Sequence, residues 1–283
     1  MIEDLYHWRC GDVTMELGLS RTGAGRKALL LPAPSSISTR REMAPLQTLL
    51  ADRYQSVSID WPGFGDRAKP FVDWTPEIYA QFLAAVLRDV APDAETIVAA
   101  GHAAGYVLRH AARRGLDASR LVLVAPTWRG PFPTMMSGER AWFSRVRKAI
   151  DVPVAGPLLY GLNVNTLVLR HMAAGHVYED KGFLAGDRLH EKRAVTTASG
   201  ARHASARFVT GGLDPFESRK DFLAAAGRAG VPVRVVYGAH TPRRSRAEME
   251  AMRDVTNVEM VELPRGKLSV HEEFPALVAQ AIP

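Results

Sequence analysis

The sequence TIVAAGHAAGY, residues 96–106, is the stretch that decides the fold. Residues 96–100 are almost continuously apolar, which is typical of a strand that is buried on both faces of a parallel sheet. Small residues follow at Gly101, Ala103, Ala104 and Gly105, and they allow a sharp turn from the strand into a helix. We therefore predict a buried strand, a tight turn and a helix.

The rest of the chain repeats this alternation of short apolar runs and longer helical patterns. Alternation of this kind predicts a mostly parallel sheet that is covered by helices. Residues 13–20 alternate less cleanly and indicate antiparallel leading strands, so the sheet is expected to be mixed. The further predicted strands are residues 28–31, 56–59, 121–124, 233–237 and 258–263, and the predicted helices include residues 76–90, 104–114 and 246–253.

The alternation stops between residues 131 and 203. No strand pair is evident there, and residues 140–150 and 158–174 have helical patterns. We predict a core formed by residues 1–130 and 204–283, with residues 131–203 inserted as a helical cap. In open α/β sheets a ligand binds at the carboxyl ends of the strands, which is the edge that such a cap would cover.

The segment GHAAG, residues 101–105, has the pattern of a nucleophile elbow, G-x-S-x-G, with Ala103 in place of the serine. Four other segments resemble motifs of the α/β-hydrolase superfamily in order and spacing. They are ALLLPAPSS at 28–36, SIDWPGFGD at 58–66, VVYGAHTP at 235–242 and GKLSVHEEFP at 266–275. The resemblance covers nearly the whole chain and implies an α/β-hydrolase fold with an eight-stranded sheet and an inserted cap.

A closer likeness is carried by residues 101–104, 125–131, 210–215 and 245–250. These segments are similar to a poorly characterised group from bacteria and plant chloroplasts whose members also carry alanine at the elbow. This resemblance implies a fold and not a reaction.

The three catalytic positions of the superfamily are replaced when its motifs are carried over. Ala103 stands at the nucleophile, His240 at the acid, and Leu268 at the base, or Lys267 if a one-residue gap is allowed. A working triad needs a nucleophile, a base that takes its proton and a carboxylate that orients the base. The sequence therefore predicts that this chain is not a conventional serine hydrolase.

The expected oxyanion loop is altered as well. Pro32 and Pro34 have no N–H group, although Ala33 and Ser35 keep theirs. We expect the ligand-binding residues to be Ala33, Ser35, His102, Ala103, Trp128, Arg129, His240 and Leu268.

Several of these residues have a structural alternative. His102 either packs beside the turn or acts in catalysis, and His240 either contacts a ligand or is a buried, hydrogen-bonded histidine. Trp128 is expected to line a pocket, and Arg129 either holds an anionic group or forms a surface ion pair.

Three other polar residues have simple structural explanations. His271 and Glu272 open the last helical region, where a capping role is expected. Asp214 is either a turn or cap residue or a displaced catalytic acid.

Composition excludes several other classes of protein. The net charge is +6, but the arginines are scattered, which argues against a nucleic-acid site. Cys10 is the only cysteine, and no histidine pattern indicates a metal or another cofactor. The first residues lack the apolar core of a secretory signal, and no apolar run reaches the roughly 18 residues of a membrane span, so we expect a cytoplasmic location.

Two functions remain open. The first is a non-hydrolytic protein that binds a small, largely apolar ligand in the hydrolase-type pocket. The second is an enzyme of hydrolase or lyase type that uses other pocket residues, such as His102 or His240. An ordinary esterase or dehalogenase ranks third, because all three triad positions are replaced while the scaffold motifs are intact.

Overall fold

The computed structural model describes residues 1–283, except for the side chain of Asn163. Its centre is an eight-stranded sheet with the strand order β1-β2-β4-β3-β5-β6-β7-β8. β2 is antiparallel to β1 and β4, and the remaining pairs are parallel, which confirms the predicted α/β-hydrolase fold. The strands are β1 (Ile2–Cys10), β2 (Val13–Thr22), β3 (Arg26–Leu31), β4 (Tyr54–Ile59), β5 (Thr96–Ala100), β6 (Arg120–Val124), β7 (Val233–Gly238) and β8 (Val258–Leu263).

The central strands are apolar on both faces because helices cover both faces of the sheet. Ile97 and Ala99 of β5 pack into one hydrophobic core, and Val98 and Ala100 pack into the core on the opposite face. This alternation follows from the two-residue period of a strand. It explains why residues 97–100 show no polar positions.

Thirteen helices surround the sheet in the described chain. They are α1 (Ala44–Leu50), α2 (Pro76–Asp89), α3 (Ala103–Arg114), α4 (Pro131–Met135), α5 (Trp142–Asp151), α6 (Ala155–Asn163), α7 (Thr166–Met172), α8 (Gly186–Thr197), α9 (Ala201–Val209), α10 (Arg219–Gly227), α11 (Arg243–Glu250), α12 (Val270–Glu273) and α13 (Pro275–Ala281). Short 3-10 turns cover Arg40–Met43 and Ala251–Asp254, and one π-helical turn covers Ala173–Val177. None of the described helices is long and apolar enough to cross a membrane.

Helices α4 to α9 lie between β6 and β7 in sequence, and we call residues 131–209 the helical insertion. The cap boundary expected at residue 203 falls inside α9. The single helix expected over residues 158–174 is interrupted between α6 and α7. Asn165 causes this break: its side-chain oxygen accepts hydrogen bonds from the N–H groups of Leu167 and Val168 and so caps a new helix.

Candidate functional site at the carboxyl-terminal edge

The sharp turn between β5 and α3 is at Gly101. Its φ angle is +51°, in the left-handed region that glycine adopts without steric cost. The Gly101 N–H donates to the carbonyl of Val124, and its own carbonyl accepts from the N–H of Thr127. These bonds fix the turn against the end of the neighbouring strand β6.

This geometry corrects the position that the sequence motif gave to the turn. Ala103 is the first residue of α3 and is fully buried, whereas Gly101 is partly exposed. The sequence motif placed the turn residue two positions too far along the chain, because AAGHA at 99–103 and GHAAG at 101–105 both have its pattern of small residues. A nucleophile belongs at the turn itself, where it is exposed, and the residue there has no side chain.

The turn faces the loop that follows β3. A Cβ atom added to Gly101 would lie 3.0 Å from the Cβ of Ala33, which is tighter than ordinary contact. Ala33 and Ser35 are both partly exposed, as expected for a loop at the ligand edge. The Ser35 hydroxyl is 2.8 Å from the Ser38 hydroxyl and makes no described hydrogen bond with a histidine or a carboxylate. It therefore has no base to activate it.

His102 is buried beside the turn. Its Nε2 atom is 3.0 Å from the carbonyl oxygen of Leu213. A carbonyl only accepts, so Nε2 carries the proton and Nδ1 is an acceptor, and among the described residues nothing donates to it. Burial lowers the His102 pKa to about 4 in spite of the Leu213 carbonyl, so the ring is neutral at physiological pH.

Asp214 lies next to His102, with Oδ1 3.5 Å from Nε2. The same oxygen accepts from the N–H of Gly130, 2.7 Å away, which fits the turn role predicted from the sequence. Burial raises the Asp214 pKa to about 8, although the Gly130 N–H and Arg129 oppose this shift. At neutral pH both His102 and Asp214 are therefore uncharged, and their contact is not an ion pair.

The residues aligned with the acid and the base have partners of their own. His240 is half-exposed, and its Nδ1 is 2.9 Å from a carboxylate oxygen of Glu179, in the helical insertion. Leu268 is partly buried against the hydrophobic core, and the Lys267 ammonium donates to the carbonyl of Ala174. No described contact connects these residues to Gly101.

Glu179 explains why His240 is held at the surface. Although burial opposes it, hydrogen bonds from the Gly266 N–H, His240 and Arg265 lower the Glu179 pKa to about 2. His240 is therefore not the buried histidine of the second alternative, and its contact with Glu179 ties the end of β7 to the insertion.

Trp128 and Arg129 also have structural partners. The Trp128 indole is buried and donates to Glu248, and it stacks beside Phe222 with a centroid separation of 6.4 Å. Arg129 donates to the same Glu248, and its guanidinium lies 4.6 Å from the Trp128 ring centroid. Both side chains thus contact α10 or α11, which supports the ion-pair alternative for Arg129, and the prediction that Trp128 lines a pocket stays a prediction.

A buried charged cluster, which we call the anchor, joins the insertion to the core. Lys192 of α8 pairs with Glu42 and lies 3.1 Å from a carboxylate oxygen of Glu272. The Tyr178 hydroxyl donates to Glu272 over 2.6 Å, and His271 Nε2 is 3.7 Å from a Glu42 oxygen. His271 and Glu272 therefore do more than cap a helix, which corrects the sequence interpretation.

The anchor is well buried but incompletely hydrogen-bonded. Although burial opposes ionisation, Lys192 and His271 lower the Glu42 pKa, while Glu42 and Glu272 raise the Lys192 pKa well above its usual value. Among the described residues, Glu42 Oε2 and both His271 ring nitrogens lack a hydrogen-bond partner. No local sequence pattern indicates the anchor, because Glu42 and Lys192 are 150 positions apart.

Two concavities of the described chain lie at the opposite, amino-terminal edge of the sheet. One, of about 790 Å³, is lined by residues at the starts of β6, β7 and β8, including Arg120, Val233 and Glu259. The other, of about 70 Å³, is lined by residues that include Arg21 and Gln55. The cavity expected beneath the insertion stays a prediction. No described group of histidine, cysteine or acidic residues has the arrangement of a metal site.

Comparisons with known proteins match this architecture along the whole chain. A thermophilic esterase from Thermogutta terrifontis aligns with a TM-score of 0.72 and 19% identity, covering 100% of this chain and 97% of the esterase. A hydrolase from Pseudomonas aeruginosa aligns with a TM-score of 0.74 and 16% identity, covering 99% and 97%. A haloalkane dehalogenase from Bradyrhizobium elkani aligns with a TM-score of 0.69 and 16% identity, covering 99% and 96%.

At these identities the solved structures establish the fold alone. No curated protein sequence matches this chain significantly. The sequence model of the alpha/beta hydrolase family matches residues 28–281, which spans β3 through α13. This chain therefore belongs to the alpha/beta hydrolase family.

Proposed function

We propose that this chain is a non-hydrolytic member of the family that binds a small, largely apolar ligand at the carboxyl-terminal edge of the sheet. The observation that carries the proposal is Gly101: the turn that should present a nucleophile has no side chain, and the Cβ of Ala33 lies 3.0 Å from where one would begin. Covalent catalysis needs a nucleophile next to a base that takes its proton. Neither is placed at this turn.

The ligand class follows from the side chains around the turn. Ala33 and Gly101 are partly exposed and small, whereas the polar groups His102, Asp214 and Trp128 are turned into the protein. A pocket of this type favours apolar ligands with few polar contacts. A cytoplasmic location belongs to the same proposal.

A second candidate is an enzyme that uses His102 as acid or base. One observation favours it: the Nδ1 atom is buried, unprotonated and without a described donor. Against it, a pKa of about 4 makes His102 a weak base at neutral pH, and general bases work best with a pKa near the operating pH. We therefore rank it below the binding function.

The test has a chemical arm and a binding arm. The chain should turn over no p-nitrophenyl ester above the buffer rate and should not react with a fluorophosphonate probe. A stoichiometric adduct on any serine, or turnover that is lost in His102→Gln, would overturn the non-hydrolytic assignment.

The binding arm uses the apolar fluorophore N-phenyl-1-naphthylamine. The native chain should bind it with saturable enhancement, and Ala33→Trp should weaken binding at least about tenfold by filling the space beside Gly101. Leu49→Trp, at an exposed position of α1, is the matched control. Equal binding by the native chain and Ala33→Trp would exclude this edge as the site.

A further inference from the structure

The tip of the helical insertion exposes an unusually large number of apolar side chains. Val154, Leu158, Leu162 and Leu167 are 79%, 69%, 70% and 79% exposed. Surface leucines are common singly, but a contiguous group of them marks an interaction site. Trp142 of α5 is also 40% exposed.

Three of the exposed residues share one face of α6 because of helix geometry, and Leu167 lies on the next helix, α7. Leu158 and Leu162 are four residues apart on α6, and Val154 precedes them by the same spacing. The opposite face of α6 is anchored, because the Tyr160 hydroxyl bonds to Ser205 of α9. The leucine face therefore points away from the protein, and we call these four residues with Trp142 the apolar tip.

The charge within residues 152–178, which carry four of the five residues of the apolar tip, has one sign. Residues 152–178 contain no aspartate or glutamate, and Arg170 is their only lysine or arginine. Arg145 and Lys148 of α5 and Arg170 of α7 are exposed, and none makes an ion pair with a described residue. By contrast, the core arginines Arg234 and Arg246 each contact a carboxylate.

We propose that the apolar tip docks on the surface of an anionic lipid membrane. Apolar side chains that enter the interfacial region, with cations beside them, are the chemistry of a helix that lies on a membrane without spanning it. Tryptophan at the boundary suits the same environment. This inference does not depend on the ligand proposed above.

Charge complementarity favours a membrane over a second copy of the chain as the occupant. Self-association through the apolar tip would bring Arg145, Lys148 and Arg170 near their own copies, which is repulsive. Anionic headgroups would instead pair with all three, and each such contact strengthens membrane binding. These cations have no carboxylate partner in the described part of the chain, so they favour an anionic membrane over a second copy of the chain.

The experiment is co-sedimentation of the full chain with vesicles. The chain should bind vesicles of phosphatidylcholine with phosphatidylserine, bind vesicles of phosphatidylcholine alone far more weakly, and lose binding as salt increases. Leu158→Asp/Leu162→Asp should abolish binding to both vesicles. Arg145→Gln/Lys148→Gln/Arg170→Gln should reduce affinity for the anionic vesicles on the order of 100-fold, because each cation contributes separately.

Matched controls lie on the core surface. Ile2→Asp/Leu49→Asp replaces exposed apolar residues, and Arg113→Gln/Arg114→Gln/Lys220→Gln removes exposed cations; both should bind as the native chain does. Thermal melting of each variant verifies that it is folded. No vesicle binding by the native chain, or equal binding by the tip and control variants, would overturn the proposal. A native dimer in sedimentation equilibrium that Leu158→Asp/Leu162→Asp dissociates, without vesicle binding, would assign the tip to self-association.

Discussion

The turn at Gly101 and the anchor around Lys192 use the same edge of the sheet in opposite ways. At Gly101 the strand–turn–helix backbone is retained, and the side chain that would react is absent. At the anchor, Lys192 of the insertion is buried with two carboxylates. Glu42 lies in the short 3-10 turn that comes after β3, and Glu272 lies in α12, which follows β8. The buried polar groups of the anchor are thus charged and hold the insertion, whereas His102 and Asp214, beneath the turn, are uncharged at neutral pH.

The two regions should therefore contribute to the stability of the chain in different ways. A buried ion group is a weak source of net stability, but removal of one member leaves the others charged and unpaired. The turn, by contrast, depends on backbone geometry that tolerates only a residue able to adopt positive φ. Three substitutions test the two regions separately.

The largest effect is expected at the anchor. Lys192→Met should lower the free energy of unfolding by about 3–5 kcal/mol, because Glu42 and Glu272 then lose their buried cation. Urea denaturation followed by circular dichroism measures this loss. Arg193→Met, on the exposed face of the same helix, should change stability by less than about 0.5 kcal/mol.

The anchor interpretation also predicts a partial rescue. Removing the unpaired charge with Glu42→Gln in the Lys192→Met background should recover part of the stability, since a neutral amide costs less to bury. A Lys192→Met variant as stable as Arg193→Met would show that the anchor is not a buried ion group in solution.

The next effect concerns the polar pair beneath the turn, and it appears in the pH dependence of stability. In the folded chain the Asp214 pKa rises from 3.8 to about 8, and the His102 pKa falls from 6.5 to about 4. The raised Asp214 pKa gives stability that is lost as pH rises towards 8. The depressed His102 pKa gives stability that is lost as pH falls towards 4.

Between about pH 4 and 6.5 the two effects cancel, because the folded and unfolded states each bind one proton at this pair. Between about pH 6.5 and 8 only Asp214 differs, so stability should fall by up to about 2 kcal/mol. Asp214→Asn should remove that fall in stability. In this variant only His102 titrates differently in the two states, so stability should rise as pH increases from 4 to 6.5. Urea midpoints of both proteins across this range measure the contrast. Parallel pH profiles would refute the proposed protonation states.

The fold was predictable because its signals are local and repeated. The strand at residues 96–100 is observed as Thr96–Ala100, and the strand at 258–263 as Val258–Leu263. The position of the turn was ambiguous, because AAGHAAG satisfies the motif in two registers and only φ at Gly101 decides between them.

The side-chain partners were not predictable in the same way. Trp128 follows a strand end, but the pairing of its indole with Glu248 depends on a contact 120 positions away. The anchor has the same origin, since Glu42 and Lys192 meet only after the insertion folds onto the core. Local patterns identify the strands and turns, whereas long-range packing determines which polar groups reach the ligand edge.

The smallest effect on stability is expected for Gly101→Ser, which restores a hydroxyl at the turn itself. The left-handed backbone should cost about 1–2 kcal/mol for a residue with a side chain, and the new Cβ, 3.0 Å from Ala33, adds to this cost.

The variant should hydrolyse no p-nitrophenyl ester, because a serine needs a base within roughly 2.6–3.2 Å, or one water away. Leu268 accepts no proton, His240 is paired with Glu179 at the surface, and His102 directs its Nε2–H at Leu213. Gly101→Ala is the matched control and isolates the backbone cost. Ester turnover by Gly101→Ser above that of Gly101→Ala would show that a base already faces the turn, and His102 Nδ1 would be the first candidate. The enzymatic function would then be better supported than the binding function.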